Sequence, residues 1–297
     1  MAKAKSAFVC TECGSEFSKW QGQCSGCREW NTLQEIRVGA TVLPGAAPAA
    51  GAVAGGAARS ASNGRGGYAG TLSDNVTDLS NVSLAEVPRF SSTFGEFDRV
   101  LGGGLVPGSA VLLGGHPGAG KSTLLLQTAC KLAQHKRSLY VTGEESLSQV
   151  AMRAHRLQLP TQGLKMLAET SVETILATAE REKPEVLIID SIQTMHLEDL
   201  SSAPGGVSQV RESAAALTRF AKRTNTVLLL VGHVTKDGSL AGPKVLEHMI
   251  DASLLLEGDG DSRFRTLRGQ KNRFGAVNEL GVFAMVELGL KEVKNPS

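Results

Sequence analysis

The run Ala110–Ala133, AVLLGGHPGAGKSTLLLQTACKLA, constrains this 297-residue chain more than any other stretch. Four apolar residues, Ala110–Leu113, lead into the spacing G-x4-G-K-S from Gly115 to Ser122, and an amphipathic run follows. Strand, glycine turn and helix in that order make an anion cradle, because glycines let backbone N–H groups turn inward and the helix N-terminus adds unpaired donors. A nucleoside triphosphate suits such a cradle. Lys121 is spaced to reach the β- and γ-phosphates, and Ser122 offers a hydroxyl to Mg2+. A chance match to the spacing would rarely have both the strand before it and the helix after it.

Short apolar strands continue to alternate with helical periodicity beyond this loop, which predicts a mainly parallel sheet covered on both faces. Val186–Ile189 delivers Asp190 at a strand end, where a carboxylate either holds the Mg2+ water shell or serves as a loop or capping aspartate. Leu139–Thr142 ends in Gly143-Glu144-Glu145. Either acid is placed to activate water, and either equally to cap the helix beginning near Ser146. A further strand, Thr226–Gly232, ends in His233-Val234-Thr235-Lys236, polar residues able to register a γ-phosphate, the alternative for a lone histidine being a satisfied structural group. The polar, Gly/Pro-rich stretches Leu197–Ser208 and Thr235–Pro243 read as loops at the open end of the sheet, either gripping a long ligand or merely mobile.

Four of the five cysteines form Cys10-x2-Cys13 and Cys24-x2-Cys27. Four thiolates at that spacing suit one tetrahedral, structural Zn2+, which holds together a segment too small to bury its own core. The rival is a pair of disulfides, which a reducing compartment disfavours. Trp20 and Trp30 flank the second pair and are expected to supply the module's packing. Cys130 falls in the apolar pattern of the helix after the phosphate loop and reads as an inert core thiol.

Composition sets the organisation around these sites. No apolar run reaches the roughly 20 residues that span a bilayer, and the N-terminus lacks a signal-peptide core, so a cytoplasmic protein with no membrane partner is expected. A formal charge of +2 gives no global affinity for polyanions, so any nucleic-acid surface must be a local patch. Residues 38–70 are an Ala/Gly/Pro/Ser tract that cannot pack a core and reads as a tether. The expected order is therefore a zinc module at 1–37, a linker at 38–70 and an ATPase domain at 71–297.

Taken together, FDRVLGGGLVPGS, GGHPGAGKST, YVTGEES, VLIIDSIQT, GHVTKDGSLAGPKVLEHMID and KNRFG, with the four-cysteine module before them, resemble the RadA (Sms) family of bacterial DNA repair proteins. The resemblance covers the chain apart from the tether. It implies an α/β fold with a RecA-like phosphate-loop ATPase core, and it implies a helicase-like ATP-dependent motor. Such a motor drives branch migration in homologous recombination, acting on single-stranded DNA and branched intermediates. Full-length family members form rings, hexamers by expectation, and partner the RecA recombinase. They also continue into a domain resembling the Lon protease, which this sequence lacks after Ser297. An ATP-switched binding module that does not translocate is the alternative.

By the same resemblance Gly115, His116, Pro117, Gly118, Ala119, Gly120, Lys121, Ser122 and Thr123 bind ATP, and Ser122 with Asp190 holds Mg2+. Glu144 aligns best with the water-activating acid, Glu145 being the fallback. His233 and Thr235 match the sensor segment, Leu197–Ser208 the first DNA-binding loop, and Lys236–Gly242 the neighbourhood of the second.

One cluster remains. RGQKNRFG, Arg268–Gly275, belongs to a run with five cations from Arg263 to Arg273 and no acid. By residue type it is a solvated strand, a nucleic-acid contact or a clamp on phosphate. Matching Lys-x-Arg onto the cation pair that RecA presents across its subunit boundary assigns Lys271 and Arg273 to the γ-phosphate of a neighbouring subunit. Contact with DNA phosphates is the rival.

Overall fold

A computed structural model describes residues 5–10, 16–26, 28–38, 88–233, 246–258 and 262–293. The chain divides into two compact units, Met1–Gly66 and Gly67–Ser297. Cys13, Cys27, the tether, Thr235 and the Lys236–Gly242 segment lie outside the described residues.

The first unit is a three-stranded antiparallel sheet in the order β2-β1-β3, built from β1 (Lys5–Cys10), β2 (Glu16–Phe17) and β3 (Leu33–Val38). Its inner cluster is Cys10, Cys24 and Leu33, with Phe8 and Phe17 against them. The tryptophans do not pack there: Trp20 is 56% exposed and Trp30 67%. A sheet this small has one inner face, and among the described residues two phenylalanines, one leucine and the buried cysteines occupy it. The indoles flank Gly22 at the surface instead.

Among the described residues of the second unit, the strands form one nine-stranded sheet flanked by helices. Its elements run α1 (Gly95–Val100), β4 (Ala110–Gly115), α2 (Lys121–Leu132), β5 (Ser138–Thr142), α3 (Leu147–Arg156), β6 (Leu164–Ala168), α4 (Val172–Glu182) and β7 (Val186–Asp190). They continue with α5 (Val207–Thr224), β8 (Val227–Val231), β9 (Ala252–Glu257), β10 (Phe264–Asn272), β11 (Leu280–Val286) and β12 (Gly289–Glu292). The strand order is β12-β11-β10-β9-β4-β8-β7-β5-β6. Every pairing from β9 to β6 is parallel, and those from β9 out to β12 are antiparallel.

Period-two alternation assigns each face its helices. Along β4, Val111 and Leu113 pack into the layer of α1, α2 and α3, while Ala110 and Leu112 pack into the layer of α4 and α5. Strands buried on both faces read as continuous apolar runs, and β4, β7 and β8 are buried at every position. Because β5, β7, β8 and β4 run parallel, their carboxyl ends share one edge, and the loops after them converge there.

The opposite edge is fastened by Asp251, which is 2% exposed just before β9. Its Oδ2 accepts from the Ala110 backbone N–H at 2.9 Å and from the Lys222 ammonium at 2.6 Å, and its Oδ1 lies 3.3 Å from the Arg273 guanidinium. Asp251→Ala strands the largely buried Lys222 cation and unties the start of β4. It is expected to cost about 3–5 kcal/mol, read as a lowered urea midpoint with an unchanged m-value.

Candidate active site

The phosphate loop leaves β4 at Gly115 and enters α2 at Lys121. Gly120, at φ +103°, caps the helix in a conformation that L-residues avoid, and a Cβ there would come within 2.8 Å of Met285 Cε. Lys121 is buried and folds back onto the loop, donating to the carbonyls of Gly115 at 2.7 Å and His116 at 2.9 Å. Burial lowers its pKa, and the charges of Asp190 and Glu144 oppose that shift. Ser122 and Thr123 occupy the first turn of α2, half-buried, beside backbone N–H groups that have no partner within the helix.

The ends of β7 and β5, beyond β8 on the same edge of the sheet, supply the acids. Asp190 closes β7, and its Oδ2 accepts a 2.5 Å hydrogen bond from the fully buried Tyr140 hydroxyl of β5. Its backbone carbonyl accepts from Gly143 N–H at 2.8 Å, which fixes the turn that presents Glu144. A side chain at Gly143 would overlap the Thr194 hydroxyl, so only glycine lets the β5 end lie this close to the turn after β7.

Glu144 and Glu145 part company. Glu145 forms an ion pair with Arg153 on α3. Neither acid caps α3: Ser146 does so, in a reciprocal capping box with Gln149. Glu144 turns into the site instead. Its Oε1 accepts from the Ser191 hydroxyl at 2.5 Å and lies 3.1 Å from His233 Nε2. The His233 hydrogen bond, opposed by burial and reinforced by Ser191 and the charge of Lys121, brings the Glu144 carboxyl down to about 2.

Lys121, Asp190, Glu144 and His233 thus meet at one edge of the sheet. Tyr140 and Ser191 join them, neither marked by a motif; a phenol at the centre of the fully buried strand SLYVT is the available signal for Tyr140. The loop after the 3-10 turn Ile192–Thr194 ends at Gly206, since α5 already begins at Val207. Cys130 is fully buried, and burial lifts its thiol to about 11, as an inert core position requires.

Lys271 and Arg273 lie elsewhere. Lys271 donates to the Ile250 carbonyl at 2.8 Å and to that of Glu247, and the Arg273 backbone N–H donates to the Asp251 carbonyl at 2.9 Å. Asp251 binds the first residue of β4, whereas the phosphate loop follows the last. The pair therefore sits at the far edge from its own phosphate loop, about 17–20 Å along the strand.

The residues present fit both expected metals. Oδ2 of Asp190 is taken by Tyr140, none of the described residues donates to Oδ1, and the Ser122 hydroxyl stands at the helix start, a hard-oxygen donor set suited to Mg2+. In the first unit Cys10 and Cys24 are both fully buried in one cluster, and the Gly26 N–H donates to the Cys24 sulfur at 3.3 Å, as it would to a thiolate.

A phosphate loop at the carboxyl edge of a parallel sheet, with acids at the ends of β7 and β5 on the same edge, defines a RecA-like ATPase core. The chain belongs to the AAA-domain family, whose model matches residues 83–239, more than half its length. Residues 8–35 match the rubredoxin metal-binding domain, a zinc ribbon. The chain is 63% identical over 300 residues to the DNA repair protein RadA of Escherichia coli K12. It is 61% identical to that of Haemophilus influenzae and 44% to that of Bacillus subtilis 168. Each alignment covers all of this chain, which spans only 61–62% of those relatives. A KaiC-like protein from Pyrococcus horikoshii OT3 shares the fold with a TM-score of 0.58 at 20% identity, over 70% of this chain and 99% of its own. Among the described residues no helix is long and apolar enough to cross a membrane.

A hydrogen bond to the charged form depresses a carboxyl pKa, so losing one raises it. With its pKa brought from 4.5 to about 2, Glu144 keeps its charge in the folded protein through the ordinary carboxylate range; the stability that charge adds is complete above about 4.5, declines as pH falls below that, and is gone once pH has passed about 2. In His233→Ala the Glu144 carboxyl is expected to titrate upward toward 4.5. Carboxyl 13C shifts of labelled glutamate between pH 4 and 6 should show a new titrating signal in the variant alone.

Proposed function

We propose that this chain is the ATP-hydrolysing core of a DNA repair motor that binds single-stranded and branched DNA and promotes branch migration, with a zinc ribbon as its partner-binding module. The observation that carries this reading is the meeting of Lys121, Asp190 and Glu144 at one strand edge, in a chain 63% identical to a DNA repair protein.

Residues 115–123 cradle the triphosphate. Lys121 exchanges the Gly115 and His116 carbonyls for phosphate oxygens, and Ser122 with Asp190 holds Mg2+, which when bound neutralises charge on the β- and γ-phosphates. Glu144 orients the attacking water. Its depressed pKa makes it a weak proton acceptor, so it aims the water more than it deprotonates it. His233 touches Glu144 directly and begins the segment that carries Thr235, which makes it the sensor that links the γ-phosphate to DNA at 236–242 and 197–208. The second reading, an ATP-switched binding module without translocation, rests on the fold shared with the KaiC-like protein. DNA that accelerates hydrolysis and is displaced or branch-migrated supports the motor, and acceleration without strand movement supports the switch.

Lys271 and Arg273, at the far edge of their own sheet, act on a neighbour's γ-phosphate in a ring, by this proposal a hexamer. A cation supplied in trans can accelerate hydrolysis by about 10³-fold or more. Lys121→Ala and Arg273→Ala should each lack hydrolysis, and mixing them should restore it, since one subunit keeps the loop and the other the cation. No recovery, under conditions where mixed assemblies form, would move Arg273 to DNA contact, with salt-sensitive DNA binding as its mark.

The four cysteines, Cys10, Cys13, Cys24 and Cys27, hold one structural Zn2+, and the ribbon is the surface offered to the RecA recombinase. Elemental analysis should return one zinc per chain. Cys24→Ser should release it while the ATPase domain keeps its thermal transition; a shared loss of both would show that the two units depend on each other.

A further inference from the structure

Of the five cations between Arg263 and Arg273, Arg265 alone is buried, at 4% exposure. It is the second residue of β10, next to β9. Its Nε–H donates to the carbonyl of Ala119, inside the phosphate loop, at 3.1 Å. One terminal nitrogen donates to the carbonyls of Phe264, at 2.9 Å, and Ser262. Among the described residues every partner is a neutral carbonyl and none is a carboxylate. Room for the side chain depends on Gly258, where a Cβ would overlap it.

A guanidinium does not give up its proton, so burial leaves a full charge that three carbonyl dipoles answer only in part. Among the described residues no carboxylate completes the compensation, and the loop that Arg265 touches is an anion cradle. The geometry adds a second effect. In a planar trans peptide the C=O and the following N–H point in opposite directions, so holding the Ala119 carbonyl toward Arg265 turns the Gly120 N–H away from it. A brace for the strand ends alone would need neither the charge nor the reach to Ala119.

We propose that Arg265 is a positioning residue for the phosphate loop: it fixes the Ala119–Gly120 peptide and sets a permanent positive charge behind the loop, raising affinity for the di- and triphosphate groups of a nucleotide. This rests on the nucleotide-site reading above. Affinity for ADP and for ATP is measured by calorimetry on the unaltered protein, R265M and R265K, with thermal unfolding of each nucleotide-free protein recorded alongside. R265M, near in volume and uncharged, should bind both nucleotides on the order of tenfold or more weakly, at the effective dielectric of such sites. R265K, which keeps the charge, should recover most of that affinity.

R265M binding within about twofold of the unaltered protein would overturn the proposal. So would equal losses in R265M and R265K that track their unfolding temperatures, the mark of a brace only. If R265M does not fold, R265K and hydrogen exchange on the unaltered protein decide: saturating ADP should slow exchange at 264–267 together with 115–123, and protection confined to 115–123 would count against Arg265. Failure of the unaltered protein to bind either nucleotide would instead remove the nucleotide-site reading, and this inference with it.

Discussion

The parallel registration of β5, β7, β8 and β4 is the constraint on which the site depends. Thr142 is paired with Asp190, Ile189 with Leu230, and Leu113 with Val231. These pairs bring four strand ends to one edge, and each end releases a residue with chemistry: the loop before Lys121, then Glu144, Asp190 and His233. A one-residue slip would send every inward side chain to the other face and carry the acids out of reach of the ammonium. The two apolar layers hold that register, because each strand alternates between the α1–α2–α3 face and the α4–α5 face and neither face tolerates the other's pattern.

Within that frame the charges compensate one another before any substrate arrives. Lys121 is desolvated, and the charges of Asp190 and Glu144 support its ammonium. Asp190 is held by Tyr140, and Glu144 by Ser191 and His233. At the opposite edge Asp251 plays a structural version of the same part. It is a buried carboxylate satisfied by Lys222, Arg273 and the Ala110 N–H, and it anchors both the first strand of the site and the strand that carries the KNRFG residues.

The two units of the chain meet the entropy of folding by different means. The larger unit buries two apolar layers around nine strands. The smaller offers Phe8, Phe17 and Leu33 beside two buried cysteines, and a core of that size does not normally outweigh the cost of ordering a chain. A metal held by the four cysteines, as proposed above, would resolve that shortage, since metal-binding free energy becomes folding free energy. The exposure of Trp20 and Trp30 follows from the same scarcity, because the inner face has no room for an indole.

The sequence by itself determined what local spacing and periodicity encode. The phosphate loop, its strand and helix, the acids at strand ends, the four-cysteine pattern and the mainly parallel sheet are all short-range signals, and the relatives carry the same family. What tertiary structure alone decided were choices between neighbours in sequence that differ only in what they meet in space. Glu144 and Glu145 are adjacent and identical, yet Arg153 on α3 takes one and Ser191 with His233 takes the other. Arg265 and Arg268 look alike in a cation run, yet the pleat of β10 buries the first against Ala119 and exposes the second beside Glu257. Sequence lists such residues along a line, whereas burial and partner depend on which face a strand turns inward and on what a strand many residues away places opposite it.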